Sequence, residues 1–385
     1  MTTTGWAVGL MTGTVLDGEI DVALLRSDGN SIFEIGPFYS HRYLDATQEL
    51  IRTAVHDARA WNFSGDNPAS FALAESALTQ EQSDAVQTAV RQASLQLNDI
   101  SVVGFHGQTV LHRPPDRSSS NTRPGQTLQL GDGELMARET GLTIVHDFRS
   151  ADMRQGGQGA PLAPVYHQAL MRTAAMDRSA AIVNLGGISN LTWWDQQQDL
   201  IAFDAGPANA PIDDWVRQQQ SGSFDKGGEF GLLGRVDEER LQIVMQHAYF
   251  TAPFPKSLDR QDFQIVIDSV MSGLTLNDGA ALLAAVCASA IDKGLALLPE
   301  RPQRLILCGG GRHNQAIRRE MARRTGCEVL LAEDLGWQGD AIEAECFAFL
   351  AERVIRSMPT SFPSTTGCRQ SVCGGKVSRA ISRTL

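Results

Sequence analysis

The sequence predicts an α/β protein made of two large halves built on one plan. Three observations carry that prediction. Apolar strand-like runs alternate with long stretches of helical spacing along most of the chain. The order strand, glycine turn, strand, third strand occurs at the N-terminus and again about 174 residues later. Glycine makes up 36 of 385 residues, about 9% against an ordinary ~7%, which points to many tight turns and close backbone approaches.

In chain order, 6–11 is an apolar strand, Thr12-Gly13-Thr14 and Asp17-Gly18 are turn chemistry, and 20–25 and 32–39 are further strands. Residues 45–60 and 67–97 carry apolar side chains at helical spacing. Strands at 102–105 and 143–145 end in polar residues, and 114–126 reads as an exposed loop rich in serine and proline. The plan restarts with strands at 179–185, 188–194 and 199–203, the first two joined by Gly186-Gly187. Helical spacing returns at 234–250 and 277–299. A strand at 304–308 then runs into Gly309-Gly310-Gly311, followed by a helix at 314–324, a strand at 329–331 and an apolar helix at 340–355. These elements divide the chain into domains at 1–175 and 176–357, with 358–385 expected as a loose tail.

Composition excludes several classes. An apolar content of 42% is too high for disorder. A net charge of −11 argues against a nucleic-acid partner. No apolar run approaches the ~20 residues that span a bilayer, and the first residues lack a signal-peptide pattern, so a cytoplasmic protein is expected. The six cysteines all lie from Cys287 onward, form no CxxC pair, and read as reduced thiols.

Three glycine turns follow apolar strands, at Gly13, Gly186-Gly187 and Gly309-Gly310-Gly311. Such turns can aim backbone N–H groups at an anion, although each alone is also an ordinary turn. The familiar nucleotide and hydrolase signatures GxxxxGK[ST], GxGxxG opening a helix, and GxSxG do not occur. Asp204 ends the third strand of the second half, ahead of Gly206-Pro207. Local sequence alone favours an Asx-turn cap there; the chemical reading is a general base. In the first half, His106, Gln108 and Thr109 lie at one strand end and Asp147 and Arg149 at another. Gln158 sits in Gly156-Gly157-Gln158-Gly159-Ala160-Pro161-Leu162. Polar groups converging from strand ends suit a sugar-like ligand, and each is equally at home in ordinary loop hydrogen bonding.

These motifs together resemble the anhydro-N-acetylmuramic acid kinase family over about residues 5–377. The matching segments are Gly9-Leu10-Met11-Thr12-Gly13-Thr14-Val15-Leu16-Asp17-Gly18, His106-Gly107-Gln108-Thr109, Leu128-Gln129-Leu130-Gly131-Asp132, Asp147-Phe148-Arg149 and the 156–162 loop. In the second half they are Asn184-Leu185-Gly186-Gly187-Ile188-Ser189-Asn190, Phe203-Asp204-Ala205-Gly206-Pro207 and Cys308-Gly309-Gly310-Gly311-Arg312-His313-Asn314. The resemblance implies the sugar kinase, Hsp70 and actin superfamily: two related actin-like, ribonuclease H-like domains around a nucleotide cleft. It implies an activity that uses ATP, Mg²⁺ and water to open the 1,6-anhydro ring of anhydro-N-acetylmuramic acid and phosphorylate O6, in cell-wall recycling.

By the same resemblance, the N-terminal domain would hold the sugar and the first phosphate loop, Thr12, Gly13, Thr14, Val15, Leu16, Asp17, Gly18 and Glu19. The C-terminal domain would bind the nucleotide. Gly186 and Gly187 would form the second phosphate loop, and Gly309, Gly310, Gly311 and Asn314 would border the adenosine. Asp204 matches the general base. Thr109, Arg149, Gln158 and Glu343 would meet the sugar, Asp17 is a candidate Mg²⁺ ligand, and the chain would be a homodimer. The sequence departs from the family's GTSLDGID by Val15 and an added Glu19, and from GPGN by Ala208. KSTGR becomes Lys256-Ser257-Leu258-Asp259-Arg260. The alternatives are a kinase of the same superfamily acting on another sugar, and a nucleotide-dependent regulator without turnover. The 156–162 loop argues against the first, and the retained Asp204 against the second.

Overall fold

The computed structural model describes residues 5–13, 18–115, 124–177, 179–197, 200–258 and 263–380. The chain forms two compact units, Met1–Thr173 with Ala341–Leu385, and Ala174–Asp340. The first unit opens with an antiparallel meander of β1 (Trp6–Met11), β2 (Glu19–Ser27) and β3 (Ile32–Arg42). β1 is apolar along its length because both its faces are covered. Helices α1 (Asp45–Trp61) and α2 (Ala69–Gln92) turn apolar stripes, including Ile51, Ala54, Phe71, Leu78 and Val86, into the core over this sheet. β4 (Ile100–Phe105) then adds parallel to β1. A hairpin of β5 (Gln108–Arg113) and β6 (Gln126–Leu130) leads to α3 (Gly133–Thr140), capped by the Asp132 carboxylate at 2.9 Å from two backbone N–H groups. β7 (Ile144–His146) joins parallel to β4, and α4 (Ser150–Arg154) and α5 (Pro164–Thr173) come after it.

The second unit repeats the plan. β8 (Ala180–Leu185), β9 (Ile188–Trp194) and β10 (Leu200–Pro207) form an antiparallel meander. The helices α6 (Ala210–Gln218), α7 (Glu229–Leu233), α8 (Glu238–Met245), α9 (Gln264–Met271) and α10 (Leu276–Leu295) come next. α10 is buried over most of its length and forms the centre of this unit's core. β11 (Arg304–Cys308) pairs parallel to β8, α11 (Gln315–Thr325) crosses back, and β12 (Glu328–Leu331) pairs parallel to β11. The sheet orders are β13-β7-β4-β1-β2-β3 and β10-β9-β8-β11-β12. Both therefore place the third, second, first, fourth and fifth strands side by side, with the same parallel and antiparallel steps. Two related ribonuclease H-like α/β units are what the resemblance implies.

The chain then returns to the first unit with α12 (Ile342–Ile355), α13 (Pro363–Thr366) and β13 (Lys376–Ser378), which pairs antiparallel with β7. This differs from the sequence reading, which put 340–355 in the C-terminal half and left 358–385 loose. An apolar helix does not declare which sheet it covers; here the sheet declares it. Gly9 of β1 and Gly104 of β4 are register partners. A Cβ on Gly9 would collide with the Ala344 carbonyl, and one on Gly104 with the Phe347 carbonyl. The two glycines remove side chains where α12 lies backbone-to-backbone on the sheet. One other expectation shifts: 234–250 splits into α8 and a short turn of helix, while residues 116–123 of the loop expected at 114–126 lie outside the described residues. All six cysteines are free thiols, and five of them are buried. Among the described residues no helix is long and apolar enough to cross a membrane.

Gly104→Ala is expected to lower stability in urea unfolding by about 3 kcal/mol or more, since the Phe347 backbone blocks the added methyl and overpacking a rigid contact costs ~1–3 kcal/mol even where side chains can yield.

Candidate active site

Of the polar residues singled out in the first unit, His106 and Arg149 meet at the ends of β4 and β7. His106 follows β4 and is buried. Its Nδ1 lies 2.8 Å from the Gly107 carbonyl, which fixes the proton there and leaves Nε2 as an acceptor. Arg149 donates to that Nε2 from Nε at 3.3 Å and Nη2 at 3.1 Å, and from Nη1 to the Gly159 carbonyl at 2.8 Å. Burial, helped by the Arg149 charge, pushes the His106 pKa down to about 3, so the ring is neutral. Burial also lowers the Arg149 pKa, against the opposing field of Glu343 on the first turn of α12. The His106 ring packs on Phe347 at 4.6 Å, and Phe347 on Phe148 at 5.2 Å.

Gln158 is buried, and its backbone N–H donates to the Thr366 carbonyl at 2.9 Å. Its side-chain Oε1 is buried with no partner among the described residues. An orphaned acceptor of this kind calls for a ligand donor. The Thr109 hydroxyl oxygen accepts from Gln129 Nε2 at 3.3 Å. The structure brings Arg149 to the carbonyl of Gly159, next to Gln158, and within the field of Glu343, while Thr109 lies on β5 against Gln129.

The first phosphate-loop residues behave less uniformly. Thr14, Val15, Leu16 and Asp17 lie outside the described residues. Thr12 is buried and its hydroxyl donates to the Gly107 carbonyl at 3.0 Å, so it pins two strand ends together. The Gly13 carbonyl faces Gln108 Nε2 at 3.4 Å. The Gly18 carbonyl accepts from Tyr43 at 2.8 Å. Glu19 opens β2, where its carboxylate accepts the Ser40 hydroxyl at 3.0 Å.

In the second unit, Asp204 sits at a bulge in β10, where the pairing with β9 slips between Asp204 and Gly206. It is 7% exposed. Its Oδ1 accepts from the Asn190 amide and its Oδ2 from the Leu258 backbone N–H at 2.8 Å. Burial pushes the Asp204 carboxyl up to about 6, while the Leu258 and Asn190 donors and the Lys256 charge hold it back. Lys256 is itself buried, with its pKa pushed down to about 8 by burial and supported by Asp204. Its Nζ donates to the Tyr249 carbonyl at 2.8 Å and lies 4.5 Å from that ring's centroid. The Tyr249 hydroxyl donates to the Asp204 carbonyl at 2.7 Å. The arrangement is a carboxylate oriented at both oxygens, poised to accept a proton near neutral pH.

The Gly186-Gly187 turn joins β8 to β9, and its two carbonyls accept from Asn209 and Ala208 at 3.1 Å each. Ala208, where the family pattern has glycine, thus keeps its backbone bond to the turn. Gly309 has φ 74°, and a Cβ there would collide with the Asn184 amide oxygen. Beside it, Gly310 faces open space. Arg312 clamps the turn: Nη1 reaches the Gly309 carbonyl at 3.1 Å, and the guanidinium pairs with Asp340 at 2.6 Å and Glu333 at 2.7 Å. Asn314 caps α11, with Oδ1 accepting from Ala316 at 3.0 Å and Ile317 at 3.2 Å, and Nδ2 buried without a partner among the described residues.

Sequence reasoning places Asn190 and Lys256 within motifs but gives neither a role. Only the fold puts them against Asp204. Among the described residues no cluster of three or more His, Cys, Asp or Glu side chains could hold a metal ion. Asn190→Ala is expected to move the Asp204 titration above about 6, because it removes a donor that favours the charged form. Carboxyl carbon shifts followed by NMR against pH check this.

A family model described as anhydro-N-acetylmuramic acid kinase matches residues 5–380. A protein of that name from Mesorhizobium japonicum is 54% identical over 372 residues, covering 97% of this chain and 98% of its own. Namesakes from Rhizobium rhizogenes and Brucella anthropi are 52% and 51% identical over the same coverage. Among solved structures, the chain is similar to an activator of 2-hydroxyisocaproyl-CoA dehydratase from Clostridium difficile with bound ADPNP. The TM-score is 0.43 at 12% identity, covering 91% of this chain and 96% of that one. A ROK family glucokinase from Streptomyces griseus in complex with glucose and AMPPNP gives 0.38 at 12%, covering 91% and 100%.

Proposed function

The chain belongs to the anhydro-N-acetylmuramic acid kinase family, and from that membership we propose how its residues divide the reaction. The enzyme is an ATP-dependent phosphotransferase with an alcohol acceptor. It opens the 1,6-anhydro ring of 1,6-anhydro-N-acetylmuramic acid and phosphorylates O6, giving N-acetylmuramic acid 6-phosphate and ADP in peptidoglycan recycling.

Asp204 is the general base. It takes a proton from water as the water oxygen bonds to C1; the C1–O6 bond breaks, and O6 receives the γ-phosphoryl group. The observation that carries this reading is the Asp204 carboxylate itself: buried at the bulge of β10, oriented at both oxygens by Asn190 and Leu258, and raised to about 6. Each oxygen retains a lone pair for water. Above pH 6 the group is mostly ionised and able to accept a proton.

Arg149 and Gln158 bind the sugar, with Thr109 and Glu343 beside them. The Arg149 guanidinium has three of its five donors engaged within the described residues, and Gln158 brings an unpaired acceptor. A fork of N–H donors suits the lactyl carboxylate. Gly186, Gly187 and the loop from Thr12 to Glu19 meet the phosphates. Gly309, Gly310, Gly311 and Asn314 border the adenosine, the Asn314 Nδ2 offering a spare donor. Mg²⁺ would neutralise phosphate charge. A cation carried by the nucleotide needs only one or two carboxylates, and Asp17, which lies outside the described residues, is its candidate ligand. A cytoplasmic homodimer completes the reading.

The deciding experiment is a coupled ADP-release assay with anhydro-N-acetylmuramic acid, N-acetylmuramic acid and glucose. Turnover confined to the anhydro sugar is expected; preference for glucose overturns the reading. Asp204→Asn should lower kcat by about 10²–10⁴-fold while ATP binding by calorimetry stays within about twofold. A variant within tenfold of wild type removes Asp204 as base. In the wild-type enzyme kcat should fall about tenfold per pH unit below about 6, as Asp204 takes up a proton. Arg149→Ala should raise KM for the sugar about tenfold or more and leave KM for ATP unchanged; equal effects on both place Arg149 away from the sugar.

A further inference from the structure

Asp152 lies on α4, is fully buried, and plays no part in the assignments above. Its Oδ1 accepts two hydroxyls from the C-terminal segment, Ser361 and Thr366, each at 2.6 Å. Its Oδ2 accepts the Gly159 N–H at 2.7 Å. Gly157 passes so close that a Cβ there would collide with the same carboxylate. One buried carboxyl group thus holds the glycine loop on one side and the C-terminal segment on the other, with the Cys368 thiol beside it as well.

Further bonds run in parallel. The Gln158 N–H donates to the Thr366 carbonyl at 2.9 Å, and the Arg369 N–H to the Gln155 carbonyl at 3.0 Å. On the far side of the site, β13 pairs with β7, and Lys376 of β13 forms an ion pair with Asp147 at 2.9 Å. Asp147 has a left-handed φ of 52° and stands two residues before Arg149. The C-terminal segment therefore grips both supports of the Arg149 guanidinium: the turn that carries it, and the Gly159 carbonyl that receives its Nη1.

We propose that residues 361–378 are a working component of the sugar site, with Asp152, Ser361 and Thr366 as positioning residues that set the glycine loop under Arg149 and Gln158. The proposal rests on the reading of Arg149 and Gln158 as sugar ligands. The chain of cause is short. Loss of one hydroxyl leaves a buried carboxylate short of a donor, the carboxylate turns to recover one, and Gly159 moves with it. The Gly159 carbonyl then no longer orients Arg149, and ligand binding depends on placement to within about half an ångström.

The test compares Thr366→Val, Thr366→Ser and Ser361→Ala with wild type and Arg149→Ala in steady-state kinetics with both substrates. Thr366→Val and Ser361→Ala should raise KM for anhydro-N-acetylmuramic acid at least about fivefold, with KM for ATP and kcat within about twofold. Thr366→Ser restores the hydroxyl and should return KM to within about twofold of wild type. A purely structural role would lower the melting temperature without this split or this rescue. If Thr366→Val does not fold, Ser361→Ala decides. An unchanged sugar KM in the hydroxyl variants, with Arg149→Ala raising it, overturns the positioning role alone. If Arg149→Ala is also silent, the placement of the sugar fails with it.

Discussion

The first unit depends on two missing side chains. Gly9 and Gly104, side by side on β1 and β4, leave a bare strip of sheet on which α12 settles with its backbone nearly in contact. The helix then brings what the site needs. Phe347 backs the His106 ring and Phe148; Glu343 projects its field toward Arg149; Glu345 accepts the Tyr166 hydroxyl at 2.7 Å. A neutral His106 can accept from Arg149 because that wall keeps water away from the ring. The orientation of the guanidinium results from helix seating decided several residues away.

The two units share a strand order but have diverged at their strand ends. In the first, polar side chains fill the ends of β4 and β7, and their bonds run mainly to one another and to loop carbonyls. In the second, the turn after β8 and the turn after β11 are bare glycine backbone, and Asp204 is a buried carboxylate near the end of β10. Side chains discriminate among sugars through donor and acceptor patterns, whereas exposed backbone amides suit phosphate, which every nucleotide presents alike. Under the proposed division of roles, one architecture would support two kinds of recognition by changing only the few residues after each strand.

Much of this was legible in the sequence. Strand-to-turn transitions located both meanders, the glycine turns and Asp204, because apolar runs and glycine are local signals. What escaped was non-local. The apolar pattern of 340–355 announced a buried helix but not its partner sheet, and that information resides in Gly9 and Gly104, more than two hundred residues earlier. The serine- and threonine-rich end looked like solvent-exposed chain, because hydroxyls that serve a buried Asp152 have the same composition as hydroxyls that serve water. Asn190 was visible in a motif, yet its bond to Asp204 exists only through the pairing of β9 with β10.

The return of α12 to the first sheet also orders events in time. The second unit, Ala174–Asp340, is a continuous insertion within a discontinuous first unit. During synthesis, β1 and β4 leave the ribosome with their glycine strip uncovered, and the helix that closes it emerges roughly 240 residues after Gly104. At about 5–20 residues per second the open sheet waits on the order of ten to fifty seconds. The inserted unit has all of its strands and its own core before that helix appears, so it can fold while the first unit is still incomplete. The wall behind His106 is therefore completed only after every strand of the second unit, and a chain cut short before Ile342 leaves the first unit without it.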